Sequence, residues 1–428
     1  MINTHQRIAC TLLLSAGGCI LQSGRADANP GPPRFIPMGG ATRGASGAAF
    51  AVSDDGSVVA GYGSIGGIDQ QAGVWTEAGG WHGLGVFLMN SDARGISGDG
   101  QVIVGEGRYL TNQTRSFQSP QSGPIQTMPM LITGPTSNSW ALDANHDGSV
   151  VVGQSSDGTS HRPVKWTAAG IEQLASLTGS TAGQASGVSA DGRVIVGYEI
   201  ANGLSIGCRW TTDGVQDIGH LGPTQAGTWA TKVSDDGNVI VGYSIFSSTT
   251  EEPFRWTAAG GMVGLGSLPG GGLSQALDTN ADGLIIVGQG SSATQETAFV
   301  WTQSLGMVHL SQYLTMNGVT GFTGWRFISA DAISADGTTI VGRASDPQLG
   351  ITQGFVAVVP LPPNCGSADF NCDGDLGNDA DIEAFFSCLA GTCPPYPCDG
   401  GADFNGDGDL GNDADIAAFF RVIASGHC

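Results

Sequence analysis

Charge is scarce in this sequence, and basic charge is scarcer still. Only 13% of the 428 residues are charged, and 16 Lys and Arg stand against 38 Asp and Glu, for a formal net charge of -22. Nucleic acid is excluded as a partner, because its phosphates need a basic face. Adsorption to anionic membranes is excluded for the same reason. Long apolar runs are missing too. The stretch Ile8 to Leu21 is the longest, well short of the ~20 residues a bilayer requires, so no membrane insertion is expected. Histidines are few: of seven, the six beyond residue 28, His82, His146, His161, His220, His309 and His427, are scattered without metal-ligand spacing. No nucleophile elbow, P-loop or zinc motif is present either. With no catalytic constellation in view, the chain reads as a non-enzyme.

Glycine is abundant instead, with 70 residues, while the apolar fraction stays at 40%. That combination suits a turn-dense all-β protein better than disorder. The N-terminus reads as a secretory signal over residues 1–28: Arg7 closes a short basic region, the apolar run follows, and Ala26-Asp27-Ala28 is an A-x-A cleavage site. A lipid anchor on Cys19 is disfavoured, since Ala16 stands where a bulky aliphatic is wanted. The mature chain is therefore expected to be secreted or at the cell surface after cleavage near Ala28.

The stretch Val188–Gly197, VSADGRVIVG, reads as a turn followed by a β-branched strand that ends at Gly197. The chain writes it seven times, with Asp-Gly glycines at 56, 100, 148, 192, 237, 283 and 337, a period near 45. A second beat follows each turn, as Trp75-Thr76, Trp166-Thr167, Trp210-Thr211, Trp256-Thr257 and Trp301-Thr302, with Phe117 and Phe355 expected to stand in for tryptophan in the other two copies. Each copy holds four strand-like runs, which is the signature of a propeller blade. The first copy is preceded by an extra strand, Phe35 to Gly39, and the seventh lacks its fourth. We therefore expect residues 29–360 to form an all-β seven-bladed β-propeller closed by an N-terminal strand. The alternative, an open β-solenoid, would need caps at both ends.

Within the repeats, the tryptophans are expected to pack between blades and the Asp-Gly pairs to recur for backbone reasons. Two copies read D-x-N-x-D-G, at Asp143-Asn145-Asp147 and Asp278-Asn280-Asp282, but no later carboxylate follows, so these are read as turns rather than calcium loops. Loops after the second strand and loops leading into each blade vary, and both lie on the face opposite the uniform turns. Trp140, Trp229 and Trp325 lie on or beside them and mark that face as a binding surface for a glycan or protein ligand. The acids there, Asp69, Asp157, Glu251, Glu252 and Glu296, are ordinary loop residues. A secreted carbohydrate-active enzyme, a propeller hydrolase or lyase using paired carboxylates, is the rival reading.

Composition shifts at the Pro-rich linker, residues 361–367. From Cys365 onward 11 Asp and one Glu face a single Arg421, so this tail carries -11. Residues 368–428 contain a tandem duplication, Ala368 to Phe386 repeated as Ala402 to Phe420. Each copy opens D-x-N-x-D-G, whose oxygens at positions one, three and five converge on a hard cation while the glycine makes the turn. Two Ca2+ sites follow, with Asp369, Asn371 and Asp373 in the first and Asp403, Asn405 and Asp407 in the second. Asp375 and Asp409 stand at position seven. Position twelve holds Ala380 and Ala414, so a one-residue insertion is read, with Asp381 and Asp415 closing the sites and Asp379 and Asp413 as the other choice. Six tail cysteines allow 15 disulfide pairings; symmetry suggests Cys365–Cys393, Cys398–Cys428 and Cys372–Cys388, with Cys208 left alone in a blade.

Two resemblances follow from these residues. The copies over residues 35 to 359 resemble the HAF repeats of bacterial extracellular proteins, through Pro253-Phe254-Arg255-Trp256 and Ala298-Phe299-Val300-Trp301. That likeness implies extracellular location and transfers no catalytic residue. The paired loops of Ala368 to Cys428, each followed by a helix, resemble dockerin modules, and their wording and terminal cysteine are similar to the dockerin-like tails of planctomycete-type bacteria. The likeness implies a small α-helical calcium module that docks on a cohesin-like or other surface protein. Asn378-Asp379 and Asn412-Asp413 stand where classical dockerins carry other recognition residues.

Overall fold

Seven times the chain reverses at Ser-x-Asp-Gly or Asn-x-Asp-Gly, and each reversal is the first hairpin of a four-stranded antiparallel sheet. The computed structural model describes residues 32–39, 46–65, 68–85, 89–110, 113–134, 136–222, 227–247, 250–292, 295–360, 379–389, 416 and 419–420. The inner strands are Gly47–Val52, Ser91–Ile96, Ser139–Ala144, Ser180–Val188, Gly227–Val233, Ser274–Thr279 and Arg326–Ile333. Each touches the next, and the seventh touches the first. The ring is closed, a seven-bladed β-propeller rather than an open solenoid.

Closure happens through the N-terminus. Arg34–Pro37 pairs antiparallel with Thr352–Val358, Phe35 opposite Ala357, as the outermost strand of the seventh blade. Phe35 then packs edge-on against Trp325 at 5.2 Å and Phe327 at 5.6 Å. An aromatic cluster thus fastens the ends together, at about 0.5–1.5 kcal/mol per ring pair beyond area burial.

The turns repeat because their side chains finish a local hydrogen-bond circuit. In the first blade the Ser53 hydroxyl donates to Asp55 Oδ1 at 2.7 Å and accepts the Val58 N–H at 3.1 Å, while Gly56 takes φ +71°. Asn145 and Asn280 do the accepting with Oδ1 in the third and sixth blades. In those copies Asp147 and Asp282 accept main-chain N–H groups. The Asn and the second Asp of both D-x-N-x-D-G copies are thus spent on the turn. Neighbouring turns are also joined by main-chain bonds, from Asp54 N to Gly98 O round to Ala335 N to Asp54 O, each between 2.9 and 3.2 Å.

Two details of the repeat differ from expectation. The strand after the turn does not end at Gly197; it runs Ile195–Ala201 with Gly197 inside it. Every inner strand carries a bulge, between Ala185 and Gly187 in this blade. A Cβ at Gly197 would fall on the Gln184 carbonyl across the pair, and the equivalent glycines meet the same obstacle in the other six blades. Glycine is required there by the partner backbone, not by strand termination. Second, Phe117 and Phe355 do not occupy the tryptophan place. They pair with Gly105 and Gly342, the register of Phe254 and Phe299, and all four are fully buried. Ser119 and Ala357 stand where the other blades have tryptophan. Phe-x-Trp has simply lost its second half in those blades.

The tryptophans pack between blades as expected. Trp166 and Trp210 are buried, and their indoles donate to Pro129 O and Ala175 O of the preceding blade at 2.8 and 2.6 Å. Helix α1, Leu310–Met316, buries Leu310 and Leu314 in the core shared by the sixth and seventh blades. In the tail only helix α2, Asp379–Leu389, and Ile416, Phe419 and Phe420 are described. Phe385 and Phe419, equivalent residues of the two duplicated copies, stack at 4.0 Å and are fully buried. No helix among the described residues is long and apolar enough to cross a membrane.

Candidate ligand site at the loop-side mouth of the channel

A propeller surrounds a central channel, and this one changes character along it. At the turn side, the bonded turns form the floor, with the His146 imidazole 2.7 Å from the Asp54 carboxylate above Gly98. The next level is a buried ion cluster. Lys232 of the fifth blade reaches past Gly187 to Asp143 of the third at 2.7 Å. Asp143 and Asp278 each also accept a main-chain N–H from the following blade, at Val188 and Ile333. Lys232 keeps 29% of its side-chain surface and Asp143 only 3%, so water reaches the ammonium but hardly the carboxylate. Burial pushes Lys232 down, yet the two carboxylates outweigh it and hold its proton above the ordinary range. Burial also pushes Asp278 up to about 6 in spite of Lys232.

Beyond this level the walls cease to repeat. Five residues before each turn, the inner strand pairs with the residue following the central glycine, giving Ala48–Tyr62, Asp92–Glu106, Trp140–Gln154, Gln184–Tyr198, Trp229–Tyr243, Gln275–Gln289 and Ser329–Arg343. On one side these residues are charged. Arg94 binds Glu106 at 2.9 Å and Asp92 at 3.0 Å and lies 4.5 Å over the Phe50 ring. Arg343 holds Asp331 through two nitrogens, at 3.1 and 3.2 Å. A hydrogen-bonded row continues from Gln289 to Gln275 to Glu251, at 2.8 and 2.6 Å. The other side is aromatic. Tyr198 stacks on Trp229 at 4.6 Å with rings 6° apart, Tyr243 adjoins Trp229 at 5.6 Å, and Trp140 meets His161 edge-on at 5.0 Å.

Two polar atoms in this belt are buried without a partner, Trp229 Nε1 and Glu106 Oε2. Leaving such a group unsatisfied costs about 1–3 kcal/mol. Burial drives the Glu106 carboxyl up to about 7 against the pull of Arg94. Ser274 Oγ is unpartnered for a local reason: Ser91 and Ser139 accept N–H groups from the preceding blade, whereas Pro253 at the matching register has none to give.

Of the expected ligand-face tryptophans, the structure brings Trp140 and Trp229 into this belt and places Trp325 in the closure cluster around Phe35. Of the loop acids, Glu251 joins the belt. Asp157 is locked by Arg162 at 2.7 Å, whose guanidinium, with Thr159, holds the carboxyl well below the usual range. Glu252 sits against Gly264, Glu296 is exposed, and the Asp69 side chain lies outside the described residues. Sequence reasoning missed Asp92, Arg94, Glu106, Asp331 and Arg343. The signal was there: charged residues inside the first two strands of a blade, at positions where most other copies carry uncharged ones such as Phe50, Leu142, Gln154 or Tyr198.

Most of the expected calcium ligands, Asp369, Asn371, Asp373, Asp375, Asp403, Asn405, Asp407, Asp409, Asp413 and Asp415, lie outside the described residues, as does His427. Asp379 opens α2, and Asp381 is fully buried in its first turn. Among the described residues no three His, Cys, Asp or Glu side chains converge as metal ligands. Cys208 is a free, buried thiol in the place that phenylalanine fills in four other blades, and burial, with Glu199 and Asp217, raises its pKa.

No family model matches the sequence, and no curated protein does. Among solved structures, TolB from Acinetobacter baumannii is 14% identical with a TM-score of 0.43, covering 61% of this chain, which spans 64% of TolB's length. Oligogalacturonate lyase from Vibrio parahaemolyticus is 13% identical with a TM-score of 0.48, covering 77% of this chain and 97% of that one. The β-propeller domain of Myceliophteria thermophila Cps50 (Swd1) is 10% identical with a TM-score of 0.45, covering 76% and 99%. At such identities neither binding nor catalysis carries over to this chain.

Proposed function

We propose that this chain is an exported binding protein whose propeller holds a glycan at the loop-side mouth of its channel. The observation that carries the reading is the belt itself. An aromatic wall with an unpartnered indole N–H adjoins a hydrogen-bonded row of two amides and a carboxylate. Flat apolar sugar faces stack on aromatic rings, and sugar hydroxyls pair with groups that both donate and accept. Glycan-array binding of the intact protein tests this; a W140A/W229A variant with undiminished signal sinks it.

The dockerin-like tail fits an anchoring role. Its duplicated halves meet through equivalent phenylalanines, and its acidic loops would hold two calcium ions through Asp369, Asn371, Asp373 and Asp381, and through their counterparts in the second copy. Calcium would neutralise an otherwise self-repelling stretch and let the tail dock on a cohesin-like surface protein. Calorimetry should find two calcium ions bound per chain, and a pull-down of surface proteins should depend on calcium. Binding unaffected by a chelator would refute the docking role.

A carbohydrate-active enzyme is the second reading, favoured by one pair. Glu106 holds its proton to about pH 7, as the acid of a glycosidase does, and Asp92 stands opposite it across the strand pair. Both are bound to Arg94, which favours a structural pair. Release of reducing ends from a polysaccharide, abolished by E106Q, would decide for catalysis.

A further inference from the structure

The charges of the belt do not balance, and the imbalance points to a class of sugar. Both cations are already taken: Arg94 by Asp92 and Glu106, Arg343 by Asp331 through two nitrogens. An acidic ligand would have to displace a buried carboxylate from one of them, and breaking such pairs costs several kcal/mol. What remains unspent is negative. The one contact found for the Glu251 carboxylate is the Gln275 amide, a neutral donor.

Glu251 also lies against the aromatic wall. Tyr243 stands opposite Pro253, and Glu251, two residues along on the same face of that strand, is the diagonal neighbour of the tyrosine whose ring adjoins Trp229; in keeping with this, the carboxylate adds to the burial that raises the Tyr243 hydroxyl. A carboxylate beside aromatic faces attracts an ammonium group twice, by ion pairing and through the ring quadrupole. Around the ring, Gln154 and Gln184 lie between Trp140 and Trp229, offering amide partners for hydroxyls.

We propose that the axial mouth selects an amine-bearing sugar chain, with an ammonium group between Glu251 and the Tyr198–Trp229–Tyr243 wall. This rests on the reading of the mouth as a glycan site. The protein's net charge of -22 would steer a cationic chain toward it, an effect that salt screens.

The test is calorimetry on the full chain with three hexasaccharides: glucosamine, N-acetylglucosamine and glucose, all β-1,4-linked. The glucosamine chain should bind at least about tenfold more tightly than either neutral one, a difference of about 1.4 kcal/mol. E251Q, checked for fold by circular dichroism, should remove that preference, while D213N, a charge removed from an exposed outer turn, should leave it. Equal affinity for all three sugars overturns the amine preference and leaves the glycan site standing. Glucosamine binding that W140A/W229A does not weaken overturns the glycan site itself. Equal losses in E251Q and D213N would mean attraction to the acidic surface at large, and failure of the glucosamine chain to bind also sinks the proposal.

Discussion

The two faces of this ring are built from the same repeat and have opposite characters. On the turn face seven near-identical turns bond to one another through their main chains, and their polar side chains are consumed within each turn. On the loop face the same inner strands carry Trp, Gln, Asp or Ser at one register. Uniformity marks the face whose job is to hold the ring together. Variation marks the face free to acquire a ligand. A binding site in a repeat protein is therefore best sought where copies disagree inside a strand, not only where loops differ in length.

If that division is right, the largest stability losses should come from the repeated framework. G197A puts a methyl group on the Gln184 carbonyl, and bulged strands have no room to shift. Thermal unfolding should show a loss of about 3 kcal/mol or more; a change under about 1 kcal/mol would mean the bulge relaxes freely. The ion cluster should come next. K232M leaves Asp143 and Asp278 buried without their cation and should cost about 3 kcal/mol by urea denaturation, while D143N/K232M should recover part of it.

The belt should reveal itself through pH. Glu106 holds its proton more tightly folded, at about 7, than its ordinary value of 4.5. Its contribution is present in full below 4.5 and is lost as pH rises through 7. Unfolding free energy should therefore fall by roughly 1–3 kcal/mol over that window, and E106Q should flatten the fall. Asp278, raised to about 6, adds a slope of the same sign. A curve for E106Q that parallels the parent would contradict the assignment. The smallest effect belongs to the floor. His146 is half-exposed, and H146A should cost under about 1 kcal/mol, because exposed pairs are worth little.

Much of the framework was legible in the sequence because it is local. Ser-x-Asp-Gly writes its own turn within six residues, and counting it gave the number of blades. The missing fourth strand of the last copy located closure at Phe35. What was not legible depends on register between strands. Gly197 looked like a stop until the bulge at Ala185–Gly187 put a carbonyl opposite it. Phe117 looked like a substitute for tryptophan because spacing alone cannot tell Phe-x-Trp with the Phe kept from Phe-x-Trp with the Trp replaced. Contacts that skip a blade, such as Lys232 to Asp143, have no sequence signature, since their partners lie 89 residues apart. Trp325 carried the right residue type and the right kind of loop, but the N-terminal strand claims it.

The central claim is that ligand binding belongs to the varied face alone. Affinity electrophoresis through gels containing chitosan, chitin, cellulose or pectin tests it most directly, using the parent protein, W140A/W229A and the floor variant D54A/H146A. The account predicts retardation of the parent and of D54A/H146A in at least one polysaccharide, abolished in W140A/W229A. Retardation that survives loss of both tryptophans, or disappears with the floor pair, would contradict it.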